Sequence, residues 1–180
     1  MSDRYDLPPI RIAVCGTSQP DAGTWALAEE VGRRLAQAGA IVYCGGLGGV
    51  MEAVCRGARA AQGLTVGVLP GAEAAMANPY VVVPVPTGCG EARNAMLIRC
   101  AEAVIAIGGG WGTLSEIALA RRAGLMVIGL RTWEQADSVT LVERAGDAAE
   151  AVARALEAAR QHRGSHGSAV HQPGISPEPV

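Results

Sequence analysis

Ile41-Val42-Tyr43-Cys44-Gly45-Gly46-Leu47-Gly48-Gly49-Val50-Met51-Glu52 passes from a short β-branched run through a cluster of glycines into a helix start. Val104-Ile105-Ala106-Ile107-Gly108-Gly109-Gly110-Trp111-Gly112-Thr113-Leu114-Ser115-Glu116 makes the same passage. Strand, glycine turn and helix in that order are the unit of a parallel sheet with crossover helices. Glycines at the turn leave the backbone bare, so an anion can approach the free N–H groups and the positive end of the helix dipole. In an open parallel sheet such loops line one crevice at the carboxyl ends of the strands. Two of them point to a phosphorylated ligand; the alternative is that both serve only as tight turns. Neither can be written as G-x-G-x-x-G, so a dinucleotide-dependent dehydrogenase is a poor match.

Outward from these units, apolar runs predict strands near 10–15, 40–44, 64–69, 80–83, 103–107 and 125–130, with a less pronounced seventh around 139–142. Helical periods separate them at about 23–38, 50–61, 91–101, 114–123 and 147–160. Leu27, Val31 and Leu35 make one stripe on the first helix, and Ala148, Val152, Ala155 and Ala159 one on the last, as helices packed on a sheet require. Gly39 and Gly124 stand where left-handed C-caps are wanted, and Asp147 where an N-cap is. The near-continuous hydrophobicity of the strands suits burial on both faces. The expected fold is α/β: a Rossmann-like, doubly wound parallel sheet of six or seven strands with helices on both faces. It forms one domain over 10–160, after an N-terminal extension (1–9) and before a tail (161–180) in which Gly, Ser, His and Pro dominate and disorder is expected.

Composition removes whole classes of chemistry. Fifteen basic residues against seventeen acidic ones give a net charge of −2 in 180 residues, which advertises neither nucleic acid nor an anionic membrane as a partner. Every basic residue is Arg, so Schiff-base, pyridoxal and Walker A chemistry are excluded for want of a lysine. The histidines, His162, His166 and His171, fall in the last nineteen residues, which leaves the body without Ser-His-Asp or Cys-His catalysis or a His-containing zinc site. A solvated tail with incidental histidines is expected, and no metal site. Cys15, Cys44, Cys55, Cys89 and Cys100 show no CxxC spacing and read as small buried hydrophobes in a reducing cytosol. Cys89, four residues before Arg93, is the one position with the surroundings a thiolate needs. The polar start has no apolar h-region, and no run approaches the ~18 residues of a membrane span, so a cytoplasmic location is expected.

Three segments compete for the site. Gly16-Thr17-Ser18, after the first strand, offers hydroxyls to the crevice. Gly90-Glu91-Ala92-Arg93-Asn94 opens a helix whose arginine can either grip a phosphate through its planar fork or lie on the surface. Thr113-x-x-Glu116 fits a capping box, the reading favoured by spacing alone, in which Glu116 reaches back to the N-cap backbone; the alternative leaves its carboxylate for chemistry. Trp111 can stack on a base or cover the sheet edge, and the sequence does not separate the two.

Gly45-Gly46-x-Gly48-Gly49-Val50-Met51, Thr65-Val66-Gly67-Val68-Leu69-Pro70-Gly71, Arg93 and Gly109-Gly110-Trp111-Gly112-Thr113-x-x-Glu116 together resemble the LOG (Lonely Guy) superfamily, in the right order over about residues 10–130. The resemblance implies hydrolysis of the N-glycosidic bond of nucleoside 5′-monophosphates, with Glu116 and Arg93 as catalytic residues and no cofactor required. It implies that the loops with Gly45, Gly46, Gly48 and Gly49 and with Gly108, Gly109, Gly110, Trp111, Gly112 and Thr113 bind the 5′-phosphate; Gly16, Thr17, Ser18, Met51 and Asn94 are expected to bind the ligand in the same crevice. The absence of Lys independently argues against lysine decarboxylation, an older label for the family. Two departures matter: Gly108-Gly109-Gly110 replaces Pro-Gly-Gly, and Asn94 replaces the lysine after the arginine. The Glu-Ala-Arg-Asn form resembles a branch that includes molybdenum cofactor carrier proteins. That implies an alternative, a non-catalytic carrier or sensor whose ligand is the molybdenum cofactor or another phosphorylated pterin or nucleotide. Family members imply a homodimer or homotetramer.

Overall fold

The structure, a computed structural model, describes residues 8–136 and 139–167. The elements run β1 (Arg11–Gly16), α1 (Ala22–Gln37), β2 (Ile41–Cys44), α2 (Val50–Ala60), β3 (Thr65–Leu69), β4 (Val83–Pro86), α3 (Arg93–Arg99), β5 (Ala103–Ile107), α4 (Trp111–Arg122), β6 (Val127–Leu130), β7 (Gln135–Ala136), β8 (Val139–Thr140), β9 (Glu143–Arg144) and α5 (Ala148–Gly167). Seven strands form one parallel sheet in the order β4-β3-β2-β1-β5-β6-β9, while β7 and β8 form a small antiparallel hairpin. The Rossmann-like α/β fold is therefore as the sequence predicts.

Strand periodicity divides the core. Ile12 and Val14 of β1 face α1, α2 and α5, whereas Ala13 and Cys15 face α3 and α4, as residues i and i+2 on one pleat must. The caps fall where expected: Gly39 and Gly124 take positive φ after α1 and α4, and Asp147 accepts from Glu150 N at 2.9 Å ahead of α5. Asp21 caps α1 by accepting from Thr24 N at 2.6 Å. A feature with no counterpart in the sequence reading is the crossing of α1 and α2. A Cβ on Gly32 would overlap the Val54 carbonyl, and one on Gly57 would overlap the Glu29 carbonyl, so the two backbones meet with no side chain between them.

Several boundaries differ from expectation, three of them in the sheet edges and the last helix. The fourth strand lies at 83–86 rather than 80–83: Val81 N donates back to Asn78 O in a turn, and pairing with β3 begins where Val82 N reaches Thr65 O. Pro84 and Pro86 read as strand breakers, yet β4 is outermost in the sheet, where proline is tolerated. At the opposite edge residues 139–140 belong to the hairpin, and β9, pairing with Ile128 and Gly129, supplies the seventh strand. The last helix continues to Gly167 instead of ending at 160, so the first part of the expected tail is helical. Arg163 accounts for the extension. It donates to the carbonyls of Pro8 (2.6 Å) and Pro9 (2.7 Å) and, through Nε (2.7 Å), to Glu102, which also accepts from Arg11 N at 2.8 Å. Burial alone would raise the Glu102 pKa, but hydrogen bonds from Arg163 and Arg11 hold it below the ordinary value. Residues 1–7 and 168–180, His171 among them, lie outside the described residues. Among the described residues no helix is long and apolar enough to cross a membrane, and no cluster of three His, Cys, Asp or Glu could hold a metal ion.

Candidate functional site

The order of the strands reverses between the parallel neighbours β1 and β5: β2, β3 and β4 lie on one side of β1 and β5, β6 and β9 on the other. The crevice outside the carboxyl ends of two such strands is where open α/β sheets hold ligands. A cleft of about 540 Å³ opens there. It gathers the turn after β1 (Gly16, Thr17, Ser18), Leu47 and Met51 after β2, Pro70 after β3, Glu91, Arg93 and Asn94 at the start of α3, and the first turns of α4 from Gly110 to Glu116. Segments more than ninety positions apart in sequence thus share one wall, and most of the residues singled out from sequence come together.

Of the other predicted glycines, all but Gly48 stand behind the cleft as spacers. A Cβ on Gly45 would overlap the Arg93 guanidinium, and one on Gly46, at φ +76°, would come within 2.7 Å of Leu69 Cδ2. A Cβ on Gly49 would meet the Ser18 backbone at 2.6 Å, on Gly108 Thr17 Cγ2 at 3.0 Å, and on Gly109 Trp133 Nε1 at 2.9 Å. Gly48 has no such close neighbour; a Cβ there would find only Glu52 Oε2 at 3.8 Å. The glycine loops therefore bring the walls together as much as they bare the backbone. Thr17 ties three of them: its N–H donates to Ile107 O (3.2 Å), its carbonyl accepts from Val50 N (3.0 Å), and its hydroxyl accepts from Gln19 N (3.2 Å). Leu47, Pro70, Glu91 and Ser115 line the cleft without having been predicted to bind. Ser115 Oγ accepts from Asn94 Nδ2 at 3.2 Å and donates to Gly112 O at 2.8 Å, which ties α3 to α4.

The capping-box reading of Thr113 and Glu116 fails. Helix α4 starts at Trp111, three residues earlier than predicted, with Gly110 as N-cap and no side-chain cap. Leu114 N is the first to bond back into the helix, to Gly110 O. The N–H groups of Trp111, Gly112 and Thr113 therefore precede the helical ladder and face the cleft end of the dipole. Glu116 lies past the first turn, buried beside Arg93, whose Nη1 stands 3.6 Å from Glu116 Oε1. At 3.6 Å this is an ion pair without a hydrogen bond. Arg93 is 8% exposed, and its Nε and Nη1 lack hydrogen-bond partners. The surface-arginine alternative is thereby excluded.

Burial raises the Glu116 carboxyl pKa to about 7, against the opposing pull of Arg93. A carboxyl raised above its ordinary 4.5 binds a proton in the fold that the unfolded chain has released, so its contribution to stability falls as pH climbs from about 4.5 and is fully lost above about 7. The amide of Glu116→Gln mimics the neutral acid. We expect the variant to match wild type in thermal unfolding at pH 5 and to exceed it at pH 8, by up to about 3 kcal/mol. A difference independent of pH would mean that Glu116 is ionised throughout. Cys15, beneath the site, is buried, and its thiol is pushed well above its usual range by that burial and by Glu116. Cys44 and Cys55 are buried with their Sγ atoms 3.4 Å apart, whereas Cys89 is exposed and does not line the cleft.

An uncharacterized protein of Archaeoglobus fulgidus is 38% identical over 122 residues, 68% of this chain and 80% of that one. The molybdenum cofactor binding protein of the phototrophic bacterium Rippkaea orientalis is 30% identical with a TM-score of 0.77, over 84% of this chain and 98% of that one. The molybdenum cofactor carrier protein of Chlamydomonas reinhardtii is 32% identical with a TM-score of 0.76, over 86% and 99%. The SLOG cluster4 family model matches residues 9–161, which takes in every strand of the sheet and every wall of the cleft, and the chain accordingly belongs to the SLOG cluster4 family.

Proposed function

We propose that the cleft binds a small phosphorylated, nucleotide-like molecule, and that the chain acts as a carrier of such a ligand, a phosphorylated pterin of the molybdenum cofactor type. The observation that carries this reading is Arg93. A buried guanidinium with two unpaired N–H groups is costly unless something accepts from it, and an oxyanion supplies both lone pairs and charge. The uncapped first turn of α4 offers the same anion three backbone donors. The likeness to proteins that bind and carry the molybdenum cofactor supports the pterin as cargo.

Hydrolysis of a nucleoside 5′-monophosphate is the second reading, favoured by Glu116. A carboxyl with a pKa near 7 can exchange a proton at neutral pH. In that reaction the C1′–N bond breaks, the base leaves with the bonding electrons and a proton, and water adds to C1′ to give ribose 5-phosphate. Glu116 takes the water's proton and stabilises the oxocarbenium-like sugar, while Arg93 holds the phosphate.

The test incubates the protein with nucleoside 5′-monophosphates and with a phosphorylated pterin, following binding by calorimetry and free base by chromatography. The carrier reading expects tight pterin binding with no base released. Base release that disappears in Glu116→Gln, with binding retained, establishes the hydrolase instead. Failure of every phosphorylated ligand to bind the folded protein removes both readings.

A further inference from the structure

Trp111 opens α4 with its side chain 80% exposed, the most exposed large hydrophobic among the described residues. Left in water at the first position of a helix, it adds nothing to the core, and it does not cover the sheet edge. It is nevertheless held in place. Its ring centroid lies 5.8 Å from that of Trp133 at a tilt of 33°. Trp133 follows the left-handed residue Arg131 (φ +53°) in the turn after β6 and stands against Gly109, where only glycine leaves it room. Trp111 also lines the cleft, beside the N–H groups that precede the α4 ladder. The indole is thus braced by a tilted contact with a second indole while most of its surface remains open at the mouth of the cleft. Water-exposed aromatic surface held in this way is what a flat ring stacks on.

Building on the reading of the cleft as a phosphate site, we propose that Trp111, propped by Trp133, is the platform on which the planar heterocycle of the ligand stacks. The phosphate lies at Arg93 and the first turn of α4. Trp111 then determines specificity, selecting for phosphorylated molecules that carry a fused or extended ring and against bare sugar phosphates.

Calorimetry with guanosine 5′-monophosphate, a phosphorylated pterin and ribose 5-phosphate tests this on wild type, Trp111→Ala and Trp111→Phe. Stacking loss predicts a fall of about 5- to 150-fold in affinity for the two ring-bearing ligands in Trp111→Ala. It predicts an unchanged affinity for ribose 5-phosphate and near-complete rescue in Trp111→Phe. Indole emission should be quenched by the ring-bearing ligands and not by ribose 5-phosphate. If ribose 5-phosphate binds and Trp111→Ala leaves all affinities alone, the platform is refuted while the phosphate cleft stands. If wild type binds none of the three, the cleft reading falls and the platform with it.

Discussion

Arg93→Ala should weaken binding of a phosphorylated ligand by about 30-fold or more, the lower end of what truncating one member of a buried charged pair costs. The side chain is sealed between Gly45, which has no Cβ to obstruct it, and Glu116, and two of its N–H groups have no protein acceptor. Arg93→Lys keeps the charge but loses the planar fork, so it should fall between the two. Calorimetry with a phosphorylated pterin gives the affinities, and circular dichroism checks that each variant is folded. Arg93 also opposes the rise in the Glu116 pKa, so the alanine variant should move the pH dependence of thermal stability to higher pH. An affinity within a few-fold of wild type would place the anion elsewhere.

Gly57→Ala should destabilise the protein by about 2 kcal/mol or more, and Gly57→Val should leave little folded chain at all. In an open helix interior the alanine change would stabilise by nearly 1 kcal/mol. Here the new methyl would overlap the Glu29 carbonyl oxygen, and neither backbone can yield without pulling α1 from α2. Against a total stability of roughly 5–15 kcal/mol the valine is not absorbed. Gly164→Ala is the control: its Cβ would meet nothing within 4 Å, so the same substitution should be neutral or stabilising. Urea unfolding of the three variants reads the signs directly, and a stabilising Gly57→Ala would show that the helices are not in close contact.

Local signals were enough for much of this. Apolar runs located six of the seven sheet strands to within a few residues, and the paired glycine loops located the crevice, because both depend on residues adjacent in sequence. What failed depended on distant partners. Thr113-x-x-Glu116 fits a cap as well as it fits a second turn, and only the early start of α4 at Trp111 decides between them. Pro84 and Pro86 look like breakers until β4 is known to be the edge. Gly164 and Gly167 look like the end of a helix until Arg163 is seen fixed to Glu102 and Pro8. Gly45, Gly46 and Gly109 are expected from sequence to contact a ligand or to make tight turns, and their spacing role is not legible there, since the side chains they make room for come from elsewhere in the chain. The signal for Ser115 was its place one residue before Glu116 on the same helical turn.

The placement of β1 has a consequence for how the protein is made. Of the seven strands of the sheet it leaves the ribosome first, and it ends in the middle, with Ile12 beside Val42 on one side and Ala103 on the other. At a synthesis rate of about 5–20 residues per second, several seconds separate the two neighbours. During that interval a nascent β1–β4 half-sheet presents one flank of β1, with its apolar Ile12-Ala13-Val14-Cys15 run, unpaired, the kind of edge that recruits other chains. The cleft cannot exist before β5 and α4 arrive to close that flank, so ligand capture is deferred until the vulnerable edge is gone.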